Sequence, residues 1–253
     1  MTDKITKGQK ELIGLEFMEF TKYKYLGTSD QRKGKPHPPL EVPFDKNKKQ
    51  IDLPAPEDIS IPKKDLRTCL EERISLRKYA DKPLTLMELA WLLWATQGVK
   101  EIGEIWTKRT VPSAGARHAF ETFLLINNVE ELRAGVYRYL ALEHKLIEYD
   151  LTEGIADRIV VGAYGQKMVK QAPATFIWVA VPYRMTWRYG TRGYRYLHLD
   201  AGHVCQNLYL AAENIDAGCC AIAAFYDEQM NQILGLDGKE LFTIYMAAVG
   251  KKN

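Results

Sequence analysis

The chain has 253 residues, 46% hydrophobic and 26% charged, which suits an ordinary globular protein with a sizeable core. No stretch reaches the roughly 18 uncharged apolar residues of a membrane span, and the polar start MTDKITKGQKEL does not read as a signal peptide, so a cytoplasmic location is expected. The net charge of +3 is confined to residues 1–64, where 13 basic residues face 10 acidic ones, while the remainder balances at 22 against 22; that distribution excludes the basic patch of a nucleic-acid binder.

Residues 1–60 differ in texture from the rest. Helical periodicity is confined to about Lys10–Tyr25, where Ile13, Phe17 and Phe20 share a face, and seven prolines between Pro36 and Pro62 then predict an extended arm. Such an arm cannot build its own core, so it either stays mobile or crosses a folded surface, its own or a partner's. The expected organisation is this helix and arm over 1–60 and one domain over 61–253.

From Asp65 the patterning sharpens. Asp65–Arg73 reads as a helix, and Thr85-Leu-Met-Glu88 is a capping-box signature opening a second one that runs to about Gln97, with Gly98 placed to stop it. Glu121–Asn127 predicts a strand, Gly135–Tyr149 a hairpin turning near Glu143 and His144, and Ala174–Val181 another buried strand. Leu197, Ala201, Val204, Leu208, Ala211 and Ile215 recur every three or four residues and predict a long helix over about Arg195–Ile215, while Tyr209 and Leu210 add apolar area elsewhere on the cylinder and suggest burial on more than one side. Strands at Cys219–Phe225 and Leu241–Val249, around a short helix near Glu228–Leu234, complete an α+β class with a mostly antiparallel sheet.

Three local clusters carry chemistry. Arg73, Ser75 and Arg77 stand two apart on an extended segment, a fork of donors suited to a phosphate or the polar rim of a flat heterocycle, although taken alone such a string equally fits solvated surface. Pro112, Ser113, Ala114 and Gly115 form a tight turn whose small residues allow close approach of a flat ligand. Ile222, Ala223 and Ala224 follow the long helix as a small-residue run whose amides suit a ring or phosphate, or else a packed strand. The four cysteines lack zinc-ligand spacing and read as buried free thiols, the vicinal Cys219-Cys220 pair included. His198, Asp200 and His203 lack the spacing of a helical metal site, and no metal is expected. No Gly-x-Gly-x-x-Gly fingerprint offers a built-in dinucleotide site.

In order, Arg-x-Ser-x-Arg, Pro-Ser-Ala-Gly, Asp200-Ala-Gly-His203 on the long helix and Ile-Ala-Ala-Phe, together with DKPLTLMELAWLLWATQGV and RYLHLDAGHVCQNLYLAAE, resemble the nitroreductase superfamily, closest to its SagB-type azoline-oxidising dehydrogenases, over about residues 60–250. The resemblance implies a homodimer with a sheet flanked by helices around a long central helix, and FMN bound between subunits. It assigns the FMN phosphate, ribityl chain and pyrimidine edge to Arg73, Ser75 and Arg77, the loop along the flavin to Pro112, Ser113, Ala114 and Gly115, the ring-side backbone to Ile222, Ala223 and Ala224, and a phosphate contact to Lys251. Glycine is frequent in the family where Ala223 and Ala224 stand.

Arg188 and Tyr189 match a Lys-Tyr pair linked to azoline oxidation in the peptide-maturing members. An arginine does not give up its proton near neutral pH, which argues against that chemistry and leaves both residues as candidates for substrate orientation or proton delivery. The expected activity is NADH- or NADPH-driven reduction of an electron-poor small molecule such as a nitro compound or quinone. The alternatives are a SagB-type dehydrogenase acting on a heterocycle or modified peptide, and a non-catalytic flavin-binding or partner-docking protein.

Overall fold

The computed structural model describes residues 7–253; the first six, part of the polar start read above, lie outside it. In chain order the elements are α1 (Lys7–Phe20), β1 (Gln50–Asp52), α2 (Leu66–Glu72), α3 (Leu86–Gln97), β2 (Val99–Ile102), β3 (Thr107–Arg109), β4 (Phe120–Ile126), β5 (Gly135–Leu140), β6 (Lys145–Asp150), α4 (Ile155–Gly162), α5 (Met168–Gln171), β7 (Ala174–Ala180), α6 (Pro182–Tyr189), α7 (Gly193–Glu213), β8 (Ala217–Ile222), α8 (Asp227–Ile233) and β9 (Phe242–Lys251). Seven strands form one sheet in the order β1-β6-β5-β4-β7-β9-β8, every adjacent pair antiparallel, and β2 with β3 forms a separate ribbon.

Alternation of side chains along the central strands builds two cores. Phe120, Leu124 and Ile126 of β4 and Phe176, Trp178 and Ala180 of β7 pack with α3 and α7, whereas Phe123, Leu125, Ile177 and Val179 pack with α4, α5 and α8. Both faces are covered, so β4 and β7 are buried along their whole length and mostly apolar, interrupted by Glu121 and Thr122 in β4 and by Thr175 in β7.

Local chemistry sets the helix ends. Thr85 accepts from the Glu88 amide and the Glu88 carboxylate accepts from the Thr85 amide, the reciprocal pair expected from the sequence. Gly98 ends α3 by close approach and not by a left-handed turn: its φ is −55°, and a Cβ there would stand 2.5 Å from the Trp94 carbonyl oxygen. Within one chain α7 is buried along a single side, through Leu197, Ala201, Val204, Leu208 and Ala211, while Leu199 is 60% exposed. Burial on a second side, expected from the sequence, would require a partner surface over Leu199. On α1, Leu12, Ile13, Leu15, Met18 and Phe20 are likewise exposed.

The arm crosses this chain's own fold. Glu121 accepts from Arg138 at 2.7 Å and from Arg184 at 2.5 Å, all three side chains buried, and from the Val42 amide at 2.9 Å; Arg184 also donates to the Pro39 carbonyl at 2.8 Å. Farther along, β1 adds to the sheet edge beside β6, and His144 bridges the Tyr139 hydroxyl and the Pro54 carbonyl. Among the described residues no helix is long and apolar enough to cross a membrane.

Candidate functional site

Asp65 caps α2 by accepting from the Thr68 amide, and the helix ends at Arg73, after which the chain extends along β8. Ser75 forms a parallel bridge with Cys219, and the Leu76 amide donates to the Cys219 carbonyl at 3.0 Å. That pairing lays Arg73, Ser75 and Arg77 beside the segment that leaves β8. Tyr209 of α7 joins the two: its hydroxyl lies 3.0 Å from Ser75 Oγ and accepts from the Ala221 amide at 3.0 Å, and the Arg73 guanidinium sits 5.2 Å above its ring. Arg77 donates to the Ser75 carbonyl at 3.3 Å. Neither guanidinium has a carboxylate partner among the described residues.

The Ser75 and Tyr209 hydroxyls hold two protons between them, and one lies between the oxygens, so the other is left to donate outward. Ile222 is the last paired residue of β8 and is buried, while Ala223 and Ala224 follow it exposed. Two guanidiniums without a carboxylate partner, a hydroxyl proton and an exposed small-residue backbone form a donor set that fits a phosphate attached to a flat, polar-edged heterocycle. The sequence reading counted Tyr209 only as apolar area; its hydroxyl is the feature that ties the site together.

Lys251 is held elsewhere in the register. It pairs opposite Ala217, and its ammonium donates to the Glu88 carboxylate and, at 2.7 Å, to the Ile215 carbonyl. The vicinal cysteines sit in β8 on opposite core faces, and burial pushes both thiols up, which makes them packing groups.

A second cluster forms at the start of α7. Ser113 donates to the buried Asp200 carboxylate at 2.5 Å and accepts from the His118 amide at 2.9 Å, and the Ala114 amide points to Asp200 at 3.3 Å. Burial raises the Asp200 pKa against the opposing pull of Ser113 and Ala114. Gly115, at φ +59°, faces Arg188 and Tyr189, and the Tyr189 ring stands edge-on to Tyr196 at 4.8 Å. The Pro112–Gly115 loop and the Arg188–Tyr189 pair, 73 residues apart from Gly115 to Arg188, are therefore neighbours. Arg117, buried below, donates to the Ile105 and Gly115 carbonyls and fixes the loop.

The two clusters do not converge within one chain. Asp200 and Tyr209 are nine residues apart on α7, which separates them by about 13 Å along the helix and by about 180° around it. One anchors the Ser113 loop and the other anchors Ser75.

Comparison with known proteins identifies the family. The model of the nitroreductase family matches residues 70–251. A Methanocaldococcus jannaschii protein named as a nitroreductase is 36% identical over 80% of this chain and 96% of its own length. The microcin B17-processing protein McbC of Escherichia coli is 27% identical over 58% of this chain and 55% of its own. A solved structure named as a nitroreductase from Anabaena variabilis superimposes with a TM-score of 0.68 at 28% identity, covering 82% of this chain and 42% of that one. The chain belongs to the nitroreductase family and is an oxidoreductase.

Proposed function

We propose that this family member binds FMN through Arg73, Ser75 and Arg77, with Ala223 and Ala224 at the ring side, and passes electron pairs from NADH or NADPH to an electron-poor small molecule. The observation that carries the reading is the convergence of Arg73, Ser75 and the Ala221 amide on Tyr209, beside two exposed small residues. When bound, FMN supplies the two-electron chemistry. The protein's part is to hold the phosphate on paired guanidiniums, orient the polar edge with Ser75, and shape the substrate space with Arg188 and Tyr189. The Arg188 guanidinium suits a substrate bearing a carbonyl or an anionic group.

The second cluster completes the site from another subunit in this reading. Opposite placement of Asp200 and Tyr209 on α7, exposed Leu199, and the uncovered apolar side chains of α1 all support a homodimer with the cofactor between chains. The division at about residue 60, with the arm as an addition to a catalytic body, belongs to the same proposal. Its natural compartment is the cytoplasm.

A spectrum of the purified protein tests the reading. A yellow protein bleached by NADH or NADPH and reoxidised by a quinone is the expected result; a colourless one that FMN does not reconstitute would overturn it. A second reading, oxidation of a heterocycle in a modified peptide, draws on the relation to McbC, named for microcin processing. Flavin that stays oxidised with either nicotinamide but is reduced by an azoline peptide would favour it.

A further inference from the structure

The stretch between α1 and the prolines lies outside the residues matched by the family model and packs over α6 and the start of α7. Arg192 and Arg195 donate to the Thr21 carbonyl and hydroxyl at 3.0 and 2.5 Å. The Tyr23 and Tyr196 hydroxyls share a 2.9 Å hydrogen bond, the Gln31 amide donates to the Trp187 carbonyl at 2.9 Å, and the Trp187 indole donates to the Lys35 carbonyl at 3.0 Å. Anchored at both ends, the stretch stands off from α6 between them and leaves a cleft of about 470 Å³. Tyr23, Leu26 and Arg32 line one wall, and Arg188 and Tyr189 the other. That volume suits a small aromatic molecule.

The fixed charge of the cleft is positive. Neither Arg32 nor Arg188 has a carboxylate partner among the described residues. The acids nearest in the chain are already engaged: Asp30 with Lys35 at 2.9 Å and Lys33 at 3.7 Å, and Glu19 with Lys22 and Lys24. Tyr23 and Tyr189 add aromatic surface beside the guanidiniums, with Arg192 over one face of Tyr23 at 4.4 Å and Tyr196 edge-on to Tyr189 at 4.8 Å.

We infer that the arm is a specificity element, and that Arg32 and Arg188 together select aromatic acceptors carrying a carboxylate. The inference rests on the proposed function in placing the acceptor beside Arg188 and Tyr189, and it adds the arm and Arg32 to the substrate site. A guanidinium on each wall engages both carboxylate oxygens from opposite sides, while the tyrosine faces hold the ring.

Calorimetric titration of the full-length protein with para-nitrobenzoate and its neutral isostere para-nitrobenzamide tests this, with both also assayed as acceptors. The acid is expected to bind about tenfold or more tighter than the amide. That preference should fall about tenfold in Arg32→Gln and be largely kept in Arg32→Lys. Equal affinity for the two ligands, a preference that survives Arg32→Gln, or an Arg32→Gln effect confined to NADPH overturns the inference. Binding is read independently of turnover, so the two readings fail separately: preferential binding with no reduction of either acceptor sinks the redox reading and leaves the cleft, whereas equal reduction and equal binding of both does the reverse.

Discussion

Gly115 and Tyr189 are in direct contact: a Cβ on Gly115 would stand 2.4 Å from the Tyr189 hydroxyl and 2.9 Å from Arg188 Nε. The loop that the resemblance places along the flavin thus sets the position of the pair proposed to meet substrate. Gly115→Ala meets both this overlap and a φ of +59°, where a side chain costs about 1–2 kcal/mol. The variant should melt at a lower temperature and show a raised KM for the acceptor, because Tyr189 and Arg188 must move. Unchanged melting and unchanged KM would show that the loop yields instead.

Arg73 and Arg77 are each expected to contribute a charge-assisted hydrogen bond to the FMN phosphate or ring edge, worth about 1.5–3 kcal/mol. Arg73→Ala and Arg77→Ala should each weaken FMN binding by about 10- to 150-fold in a fluorescence titration of the apoprotein. Tyr209→Phe removes the partner of both Ser75 and the Ala221 amide and should cost less, about 0.5–1.5 kcal/mol, since it acts by letting Ser75 drift. Unaltered affinity in both arginine variants would put the phosphate elsewhere.

Glu121 holds the arm to the sheet. Burial alone would raise its pKa, but Arg184 and Arg138 outweigh that and keep the carboxyl below the usual range. Glu121→Ala leaves two buried guanidiniums without their direct carboxylate partner, a loss of about 3–5 kcal/mol. Urea unfolding should show a loss of that size, and limited proteolysis should cut first near Pro39–Pro43, whose backbone loses its anchor. A variant as stable and as resistant as the parent would mean that the arm is held by its other contacts.

Features encoded locally were legible in the sequence, and features made by distant contacts were not. The Thr85–Glu88 capping box spans three residues and gave α3 its start, and the apolar runs of β4 and β7 gave the sheet its centre. By contrast α4 begins at a left-handed Gly154 with no side-chain cap, so nothing in its first turn announces it. The sequence of α6, Pro-Tyr-Arg-Met-Thr-Trp-Arg-Tyr, mixes polar and aromatic residues, and the burial of Arg184 comes from Glu121, 63 residues earlier. Strand β1 is three residues long and is defined by its partner β6. In the candidate site each motif was visible in the sequence, but the link through Tyr209 was not, because a tyrosine on a helix reads as packing until its hydroxyl has partners.

His118 should make stability depend on pH. Burial, reinforced by the charges of Arg109, Arg117 and Arg184 and only partly opposed by a backbone hydrogen bond to Thr107, pushes its pKa down from 6.5 to about 3. The unfolded chain therefore takes up a proton between these values that the folded chain refuses, so stability falls as pH drops below about 6.5 and the loss is complete near the folded pKa. The slope from this one group is about 1.4 kcal/mol per pH unit. Half-buried His144, also lowered, works in the same direction, while Asp200 and Glu41, raised by burial, oppose it as they protonate in the folded state. Comparison with His118→Asn isolates the group, since asparagine tolerates the φ of 42° at that position. Urea unfolding at steps between pH 6.5 and 5 should give a steeper acid loss for the parent than for His118→Asn, by about 1.4 kcal/mol per unit. Parallel curves would mean that His118 takes up its proton without leaving the fold.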